Sequence, residues 1–443
     1  MCDAKIWYDR GVNPRKFLKK LGPGLTTGAS DDDPSGILTY LQGGAMLGFG
    51  ALWTALVTLP MMYGVQEMSG RIGLVTEKGL IRIIKEHYPK YILFIIAFIS
   101  TVVITINIGA DLLAVGVAVQ GLVSVSTFLL LPVIAAIILL GTVFFSYRRF
   151  ANVLKWLTLT LFFYVLTVLY LKIDWFAAME ATLIPNVVLS KDSILLLAAI
   201  FGTTVSPYLF FWQANQEIEE EEEKISAQGA LHRSSSETSG KVPPPGKIII
   251  TKNELKNLKE DTFVGMFLSN AVMWFIIIGA AEIGRVHGAQ GFATFAEASS
   301  VLKPLLGKFA YLAFSAGIIG TGLLAIPVLA GNIGYMFAEI FNLPEGMNKK
   351  FHEAKGFYAA IIAAVVFGML INFFRIDPVT LLIYTAVFYT VITPPIIYII
   401  LKIANNRAIM KSRVNSKTSN ILGWTTFVVS LVLLLVYVVT LFK

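Results

Sequence analysis

Long apolar runs dominate the chain and constrain its fold more than any other feature. Eleven stretches of the 443 residues are long and apolar enough to cross about 30 Å of hydrocarbon. Only 14% of the residues are charged, against about a quarter in ordinary soluble chains. The sequence therefore predicts an all-α integral membrane protein with about 11 transmembrane helices. These spans are 21–47, 49–68, 91–117, 128–145, 153–171, 194–216, 262–283, 305–341, 357–374, 379–401 and 421–441.

The distribution of Lys and Arg predicts the orientation of these spans. With a cytoplasmic N-terminus, 29 of the 36 basic residues fall in inside segments and 7 in outside segments. Such an excess in cytoplasmic loops is typical of membrane proteins. We therefore expect a multi-pass protein of the inner or plasma membrane, with a cytoplasmic N-terminus and an extracytoplasmic C-terminus. The basic segment 1–20 has no apolar stretch or cleavage site, so no removable signal peptide is expected.

Composition and motifs argue against several other classes of protein. A single cysteine, Cys2, permits no intrachain disulfide and no metal site built from several thiolates. The net charge of +8 lies in the loops, so it reflects membrane topology rather than nucleic-acid binding. The sequence has no HExxH motif, nucleophile elbow or phosphate-binding loop, so neither an enzyme nor a resident cofactor is expected. The expected partners are the lipid bilayer and a transported substrate.

The first span carries three adjacent carboxylates, Asp31, Asp32 and Asp33, followed directly by Pro34. A charged side chain at mid-membrane costs about 2.5 to 3.5 kcal/mol on insertion scales, so three of them cannot face lipid. Proline removes a backbone donor, and flanking glycines weaken the helix further. We expect a broken helix whose unwound centre lines a cavity inside the protein. One or two of the carboxylates would face that cavity, and another could cap the second half-helix.

The sixth span repeats this arrangement, because residues 202–208 read Gly-Thr-Thr-Val-Ser-Pro-Tyr within an apolar run. The two breaks lie five spans apart. This spacing predicts two halves of an inverted repeat, 21–173 and 193–402, followed by a cytoplasmic linker and last helix, 403–443. Paired interrupted helices indicate a transporter with its binding site at the membrane midplane. Free carbonyls at the end of each first half-helix favour a cation there.

The polar segment 217–259 differs from the rest of the chain. It contains an acidic run, a cluster of serines and three consecutive prolines. Such a segment buries too little apolar surface to offset the entropy of ordering it. We expect most of it to be a mobile cytoplasmic loop. The acidic run at 219–223 is then a solvated charge run, the alternative being an ion-attracting or regulatory segment.

At the two interrupted helices the chain resembles the NRAMP family of divalent-metal transporters, which have the LeuT-type inverted-repeat fold. The resemblance covers almost the whole chain and is strongest at 22–24, 33–36, 41–45 and 71–76. The family's first-helix motif is Asp-Pro-Gly-Asn, whose Asp and Asn bind metal. The motif's Asp is matched by Asp33, and Gly36 stands where the family has Asn.

The sixth-helix motif of the family, Ala-x-x-Met-Pro-His, is altered here. It begins at Thr203, its metal-binding Met is replaced by Ser206, and its His by Tyr208. A second family His falls at Gln213. A thioether favours transition metals, whereas hydroxyls, carboxylates, carbonyls and water suit Mg²⁺, Ca²⁺ and Mn²⁺. The pattern therefore resembles the NRAMP-related magnesium transporter branch, which is described as carrying Mg²⁺ and Mn²⁺.

The resemblance implies a metal site built from oxygen atoms. Asp33 is the first candidate for direct contact with the cation. Asp32 and Asp31 would be a helping carboxylate and a supporting or entry residue, in an order that the sequence leaves open. Ser206 and the hydroxyl or carbonyl of Thr203 would supply neutral oxygens, some of them through water.

Proton coupling is expected to be weak or absent. The third-helix motif that the family links to proton movement, Asp-Leu-Ala-Glu, keeps Asp111 but has Ala114 in place of the Glu. None of the four histidines falls in a predicted span. A family Asn is matched by Asn270. We regard Asp111, Asn270, Tyr208 and Gln213 as candidates for coupling or for the ion pathway.

The sequence thus predicts an uptake transporter for divalent metal cations, Mg²⁺ and/or Mn²⁺, that works by alternating access. One alternative is a transporter of the same fold that carries a transition metal with H⁺ symport, or a small organic solute. Another is a membrane receptor or a metal-gated channel.

Overall fold

The computed structural model describes residues 23–144, 159–186, 190–235, 252–286 and 291–442. Every regular element within these ranges is helical. The first half of the chain contains α1 (Pro23–Asp31), α2 (Pro34–Leu47), α3 (Trp53–Thr76), α4 (Leu80–His87), α5 (Lys90–Val123), α6 (Thr127–Phe144), α7 (Phe162–Tyr170) and α8 (Trp175–Leu183).

The second half of the chain has the same character. It contains α9 (Lys191–Thr204), α10 (Pro207–Ser235), α11 (Lys252–Val286), α12 (Phe295–Ser299), α13 (Lys303–Leu306), α14 (Ala310–Phe341), α15 (Lys355–Ile371), α16 (Pro378–Asn405), α17 (Arg407–Met410) and α18 (Lys417–Leu441). Short 3₁₀ segments lengthen or join some of these helices.

Eight of the described helices are long and apolar enough to cross a membrane, or up to ten if each of two bent pairs forms one span. The bent pairs join Pro34–Ala51 to Trp53–Thr76 at 107° and Leu159–Tyr170 to Trp175–Leu183 at 119°. The predicted all-α membrane architecture is confirmed, whereas the number of eleven spans stays a prediction. Part of the predicted span 153–171 lies outside the described residues.

Large apolar side chains lie on the outer surface of the bundle. Phe98 on α5 and Leu129 on α6 are 70% and 69% exposed. Only 22% of the most apolar part of α18 is buried inside the protein. Soluble monomers rarely expose wide apolar patches, so these faces fit contact with the hydrocarbon of a bilayer.

Both predicted helix breaks are present. The first lies between Asp31 and Pro34, where α1 ends and α2 begins, and the second lies between Thr204 and Pro207, where α9 ends and α10 begins. Proline is favoured at the first helical position because a donor there would have no partner within the helix. It also disfavours helical backbone at the preceding residue. Asp33 accordingly has an extended backbone, with φ −71° and ψ 171°.

The breaks are enclosed by neighbouring helices. α11 packs along both halves of the first broken helix, and α16 packs against α9 and α5. The contact with α11 is close: a Cβ atom on Gly28 would overlap the carbonyl oxygen of Gly265. Asp33 and Ser206, one from each break, are both only 1% exposed.

The prediction of a loop over most of 217–259 is wrong in its secondary structure. α10 continues to Ser235 and α11 already begins at Lys252. Glutamate and lysine are good helix formers. Lys224 also pairs with Glu220 at 3.0 Å and with Glu221 at 2.7 Å, contacts that support a helix. Residues 236–251 lie outside the described part of the chain.

Candidate metal site

Asp33 is the last residue of the first break and directly precedes α2. Its Oδ1 accepts hydrogen bonds from the Gly36 amide at 2.7 Å and from the Ser35 hydroxyl at 2.8 Å. These contacts make Asp33 the N-cap of α2. Asp33, the first candidate for cation contact, is therefore also the helix cap. The sequence predicted that another of the three aspartates would cap this helix.

Ser206 belongs to the second break, between α9 and α10. Its hydroxyl donates to the Gly202 carbonyl at 3.2 Å and also to the Thr203 carbonyl. Val205 ends α9, with φ −102° and ψ 57°. The hydroxyl proton of Ser206 thus points back to the last turn of α9, and its oxygen keeps lone pairs for another partner.

The two breaks meet next to Gly36. A Cβ atom on this glycine would lie 3.3 Å from the Thr203 Oγ1 and 3.4 Å from the Asp33 Oδ1. The structure therefore brings Asp33 and Thr203 to the same point, as the sequence predicted. A larger side chain at position 36 would crowd both oxygens, and a glycine leaves them accessible.

Further hydrogen bonds join the halves of the two broken helices. The Tyr40 and Thr204 hydroxyls, on α2 and α9, are 3.3 Å apart. The Tyr208 hydroxyl at the start of α10 donates to the Ser30 carbonyl in the last turn of α1 at 2.9 Å. The carbonyl end of α1 and the beginning of α10 are thereby held together.

Asp31 and Asp32 form a separate pair of carboxylates, and both contact the same residue of α11. The Ser269 hydroxyl lies 2.8 Å from Asp31 Oδ2 and 3.2 Å from Asp32 Oδ1. In the part of the chain that the structure describes, Asp31 Oδ1 is buried without a hydrogen-bond partner. Among those residues, no three His, Cys, Asp or Glu side chains form a group that could hold a metal ion. A cation at Asp33 would thus depend mainly on neutral oxygens.

The three aspartates are buried without a basic partner among the described residues. They are 0%, 4% and 1% exposed, and none of the ion pairs between described residues includes them. A buried charge is expensive unless it is paired or coordinates a metal. Neighbouring hydroxyl, amide and carbonyl groups supply only dipoles. The charge pattern therefore favours a cation as the ligand of this region.

Asn107 on α5 joins Asp33 to Asp111, and the sequence did not indicate it. Its Nδ2 donates to Asp33 Oδ2 at 3.1 Å and to Asp111 Oδ2 at 3.2 Å. Asn107 and Asp111 are both 0% exposed. One signal was available: the two polar residues are four positions apart in an apolar helix, and they therefore share a face. The structure places Asp111, a candidate for coupling, beside the site.

The other predicted pathway residues lie farther along the helices. Gln213 on α10 accepts from Thr27 of α1 at 2.5 Å and donates to Glu217 at 2.7 Å. Asn270 on α11 accepts from Thr58 of α3 at 2.9 Å. Its Nδ2 contacts the Met62 sulfur of α3 and the Met266 carbonyl of its own helix, so its amide links α11 to α3. Their roles in coupling or in the pathway stay predictions.

Two interrupted helices that meet inside an apolar helical bundle are typical of membrane transporters with a binding site between inverted repeats. The family model described as Natural resistance-associated macrophage protein-like (Nramp) matches residues 24–440. The chain belongs to this family. It is a family of metal-ion transporters and not of enzymes.

Similar proteins of known name agree with this assignment. The divalent metal cation transporter MntH of Caldanaerobacter subterraneus subsp. tengcongensis is 24% identical, over 93% of this chain and 91% of its own. The crystal structure of the Eremococcus coleocola manganese transporter, in complex with an aromatic bis-isothiourea compound, has a TM-score of 0.70 at 15% identity. That alignment covers 98% of this chain and 88% of the transporter.

A more distant structure shows the same fold. Mhp1, a nucleobase-cation-symport-1 family transporter, has a TM-score of 0.60 at 11% identity in its closed conformation with bromovinylhydantoin bound. The alignment covers 94% of this chain and 91% of Mhp1. At this identity the likeness concerns the fold alone, and it confirms the predicted LeuT-type architecture.

Proposed function

We propose that this protein takes up divalent metal cations, Mg²⁺ and/or Mn²⁺, across the plasma membrane by alternating access. Its MntH relative carries divalent metal cations by name, and its structural neighbour is a manganese transporter. The observation that carries the proposal is the burial of Asp33 at the junction of the two broken helices. This carboxylate has no basic partner within the described ranges, and a cationic substrate would supply the missing charge.

The chemistry of the site favours hard cations. Asp33 would bind the cation directly, and Ser206 and Thr203 would add neutral oxygens. Asp31 at the end of α1 and Asp32 in the break would support the site electrostatically. Mg²⁺ gives up its water reluctantly and is commonly held by one or two carboxylates together with several waters. A site with one central carboxylate and hydroxyl oxygens suits this behaviour, and it has no thioether to favour softer metals.

We infer that the membrane potential drives uptake with little or no proton coupling. Moving a divalent cation through 100 mV releases about 4–5 kcal/mol. This free energy concentrates the ion without a co-transported proton. The sequence supports this proposal because Ala114 stands at the position of the family's coupling Glu.

Substitution of Asp33 tests the transport function. Purified protein in liposomes with an inside-negative potential is expected to take up Mn²⁺ and Mg²⁺, and Asp33→Ala is expected to lower the initial rate at least about tenfold. Asp192→Ala is the matched control, because Asp192 is exposed in the first turn of α9. Wild-type flux in Asp33→Ala would refute the site. Binding of amino acids but not of metals in calorimetry would favour the organic-solute alternative.

A pH-sensitive dye inside the same liposomes tests coupling. Metal uptake is expected to proceed without internal acidification, and to respond to the imposed potential rather than to a pH gradient. Acidification that follows metal uptake in a fixed ratio would contradict the absence of coupling. The metal specificity would be unaffected by that result.

A further inference from the structure

We propose that Asn107 is a ligand and positioning residue of the cation site, an inference that rests on the proposed transport function. Its amide nitrogen would hold the Asp33 carboxylate, and its amide oxygen would join the oxygen shell of the hydrated cation. Asn107 lies on α5, outside both broken helices. The site would then be built from three helical segments rather than from the two interrupted spans alone.

The orientation of the Asn107 amide follows from its neighbours. Its Nδ2 group carries two protons, and each is directed to a carboxylate oxygen, one of Asp33 and one of Asp111. In the cation-bound state that the proposed function requires, both carboxylates are ionised and only accept hydrogen bonds. The reverse orientation would place the amide oxygen against two acceptors and is therefore unfavourable. The carbonyl end, Oδ1, is therefore the end of the amide that remains free for another partner.

This Oδ1 atom is buried without a hydrogen-bond partner in the part of the chain described by the structure. A buried polar atom left unpaired costs about 1–3 kcal/mol. Among the described residues, the Asp111 Oδ1 atom is likewise buried without a hydrogen-bond partner. Two oxygens on one face of α5 thus remain available beside Asp33, and both are acceptable ligands for a hard cation or its water.

The hydrogen bonds of Asp33 direct the cation to the same place. Its Oδ1 already accepts from Ser35 and Gly36, and a carboxylate oxygen has two lone pairs. Its Oδ2 accepts from the Asn107 Nδ2 group at 3.1 Å. The lone pair left for a cation is therefore on Oδ2, the oxygen that Asn107 contacts.

A second buried asparagine bonds only to its own helix among the hydrogen bonds between described residues. Asn332 on α14 is also 0% exposed. Its Nδ2 donates to the Val328 carbonyl of its own helix at 2.9 Å, and its Oδ1 lacks a partner within the described ranges. Asn107 differs because its donors contact carboxylates on two helices. Asn332 therefore provides a control with matched burial and side chain.

The test compares Asn107→Leu with Asn332→Leu in Mn²⁺ and Mg²⁺ uptake by proteoliposomes. Leucine keeps the branched shape of asparagine, with methyl groups in place of the amide atoms, and so removes the whole amide. We expect Asn107→Leu to raise KM for both cations at least about tenfold, with the maximal rate within about threefold of wild type. Asn332→Leu is expected to leave KM within about twofold of wild type. A structural defect would lower the amount of active protein and the maximal rate, but would not raise KM selectively.

Two results would overturn the inference. One is an Asn107→Leu KM within about twofold of wild type, and the other is an equal KM increase in both leucine variants. If Asn107→Leu does not fold, Asn107→Ala adds no atoms and is measured in the same way. The role of Asn107 is separable from the proposed function: loss of flux in Asp33→Ala with a normal KM in the Asn107 variants rejects only the inference. Normal flux in Asp33→Ala rejects the function itself.

Discussion

One carboxylate, that of Asp33, combines a structural role with the proposed functional one. As the N-cap of α2 it satisfies the Gly36 amide, and it lies beside Thr203 of the second broken helix. Caps are favoured in part because the N-terminal end of a helix is partially positive. The same field offsets part of the cost of a buried negative charge. Helix formation and charge burial thus depend on each other at this residue.

The carboxyl of Glu345, between α14 and α15, provides a pH-dependent prediction. Burial raises the pKa of this carboxyl from the ordinary 4.5 to about 7. The positive charges of Arg82 and Lys349 act to lower the pKa, and the negative charges of Glu219 and Glu222 act to raise it further. Between these two pH values the folded state binds more protons than the unfolded state, so Glu345 lowers stability as the pH rises.

Replacement of this carboxyl by a neutral amide removes the effect. The thermal midpoint of Glu345→Gln is expected to exceed that of the wild type by an amount that grows from pH 4.5 to pH 7 and is then constant. The corresponding difference in stability reaches about 1–3 kcal/mol. Thermal unfolding in detergent at several pH values checks this. A constant difference across the range would contradict the raised pKa of Glu345.

The sequence predicted part of the candidate site at the level of residues. The juxtaposition of Asp33 with Thr203 followed from two prolines in apolar runs, because each proline forces a helix to restart. The bridge by Asn107 did not follow, since a single asparagine in an apolar helix more often bonds to its own backbone, as Asn332 does. The spacing of Asn107 from Asp111 indicates only a shared helix face, and the packing of α5 against α2 is what brings its amide to Asp33.

Among the helices, α10 connects the second break to the far end of the bundle. Its residue Glu219 accepts hydrogen bonds from the Tyr335 hydroxyl of α14, from the Met347 amide at 2.8 Å and from the Asn348 side chain at 3.1 Å. The residue also lines a cavity of about 250 Å³ together with Glu345. This end of α10 is thereby fixed to α14 and to the segment after it.

We predict that Glu219→Ala lowers stability more than Glu220→Ala. Loss of Glu219 leaves several donors without their charged acceptor, and each such bond contributes about 1.5–3 kcal/mol. Among the ion pairs between described residues, Glu220 pairs with the half-exposed Lys224 alone, a contact worth at most about 1 kcal/mol. Thermal midpoints of the two variants, measured side by side in detergent, decide this. Equal midpoints would mean that the end of α10 does not depend on Glu219.

The helices show where sequence reasoning succeeds and where it does not. The sequence predicts spans and breaks because their signals, namely length, hydropathy and proline, lie within a single stretch of the chain. The short helices α4 and α8, of 8 and 9 residues, have no such signal. The helical extension of α10 was missed for another reason: a polar, charged composition was equated with a loop, whereas its glutamates pair along the helix and contact α14.

The whole molecule carries an asymmetry of charge that predicts its orientation. With 29 of 36 basic residues in alternate loops, reversal of the topology would move them to the outer face, against the usual distribution. The structure is compatible with either orientation, because a helical bundle packs identically whichever side faces the cytoplasm. Orientation is therefore a property that only the loop charges predict.

The single cysteine of the chain makes this orientation testable in intact cells. A membrane-impermeant maleimide added outside is expected to leave Cys2 unmodified and to label it after permeabilisation, because the basic N-terminus is predicted to be cytoplasmic. Lys172→Cys in a Cys2→Ser background is the matched control. Lys172 is exposed between α7 and α8 in a predicted outside loop, so this variant should react without permeabilisation. The reverse labelling pattern would show that the charge distribution predicts the wrong orientation. It would also contradict the proposed direction of transport.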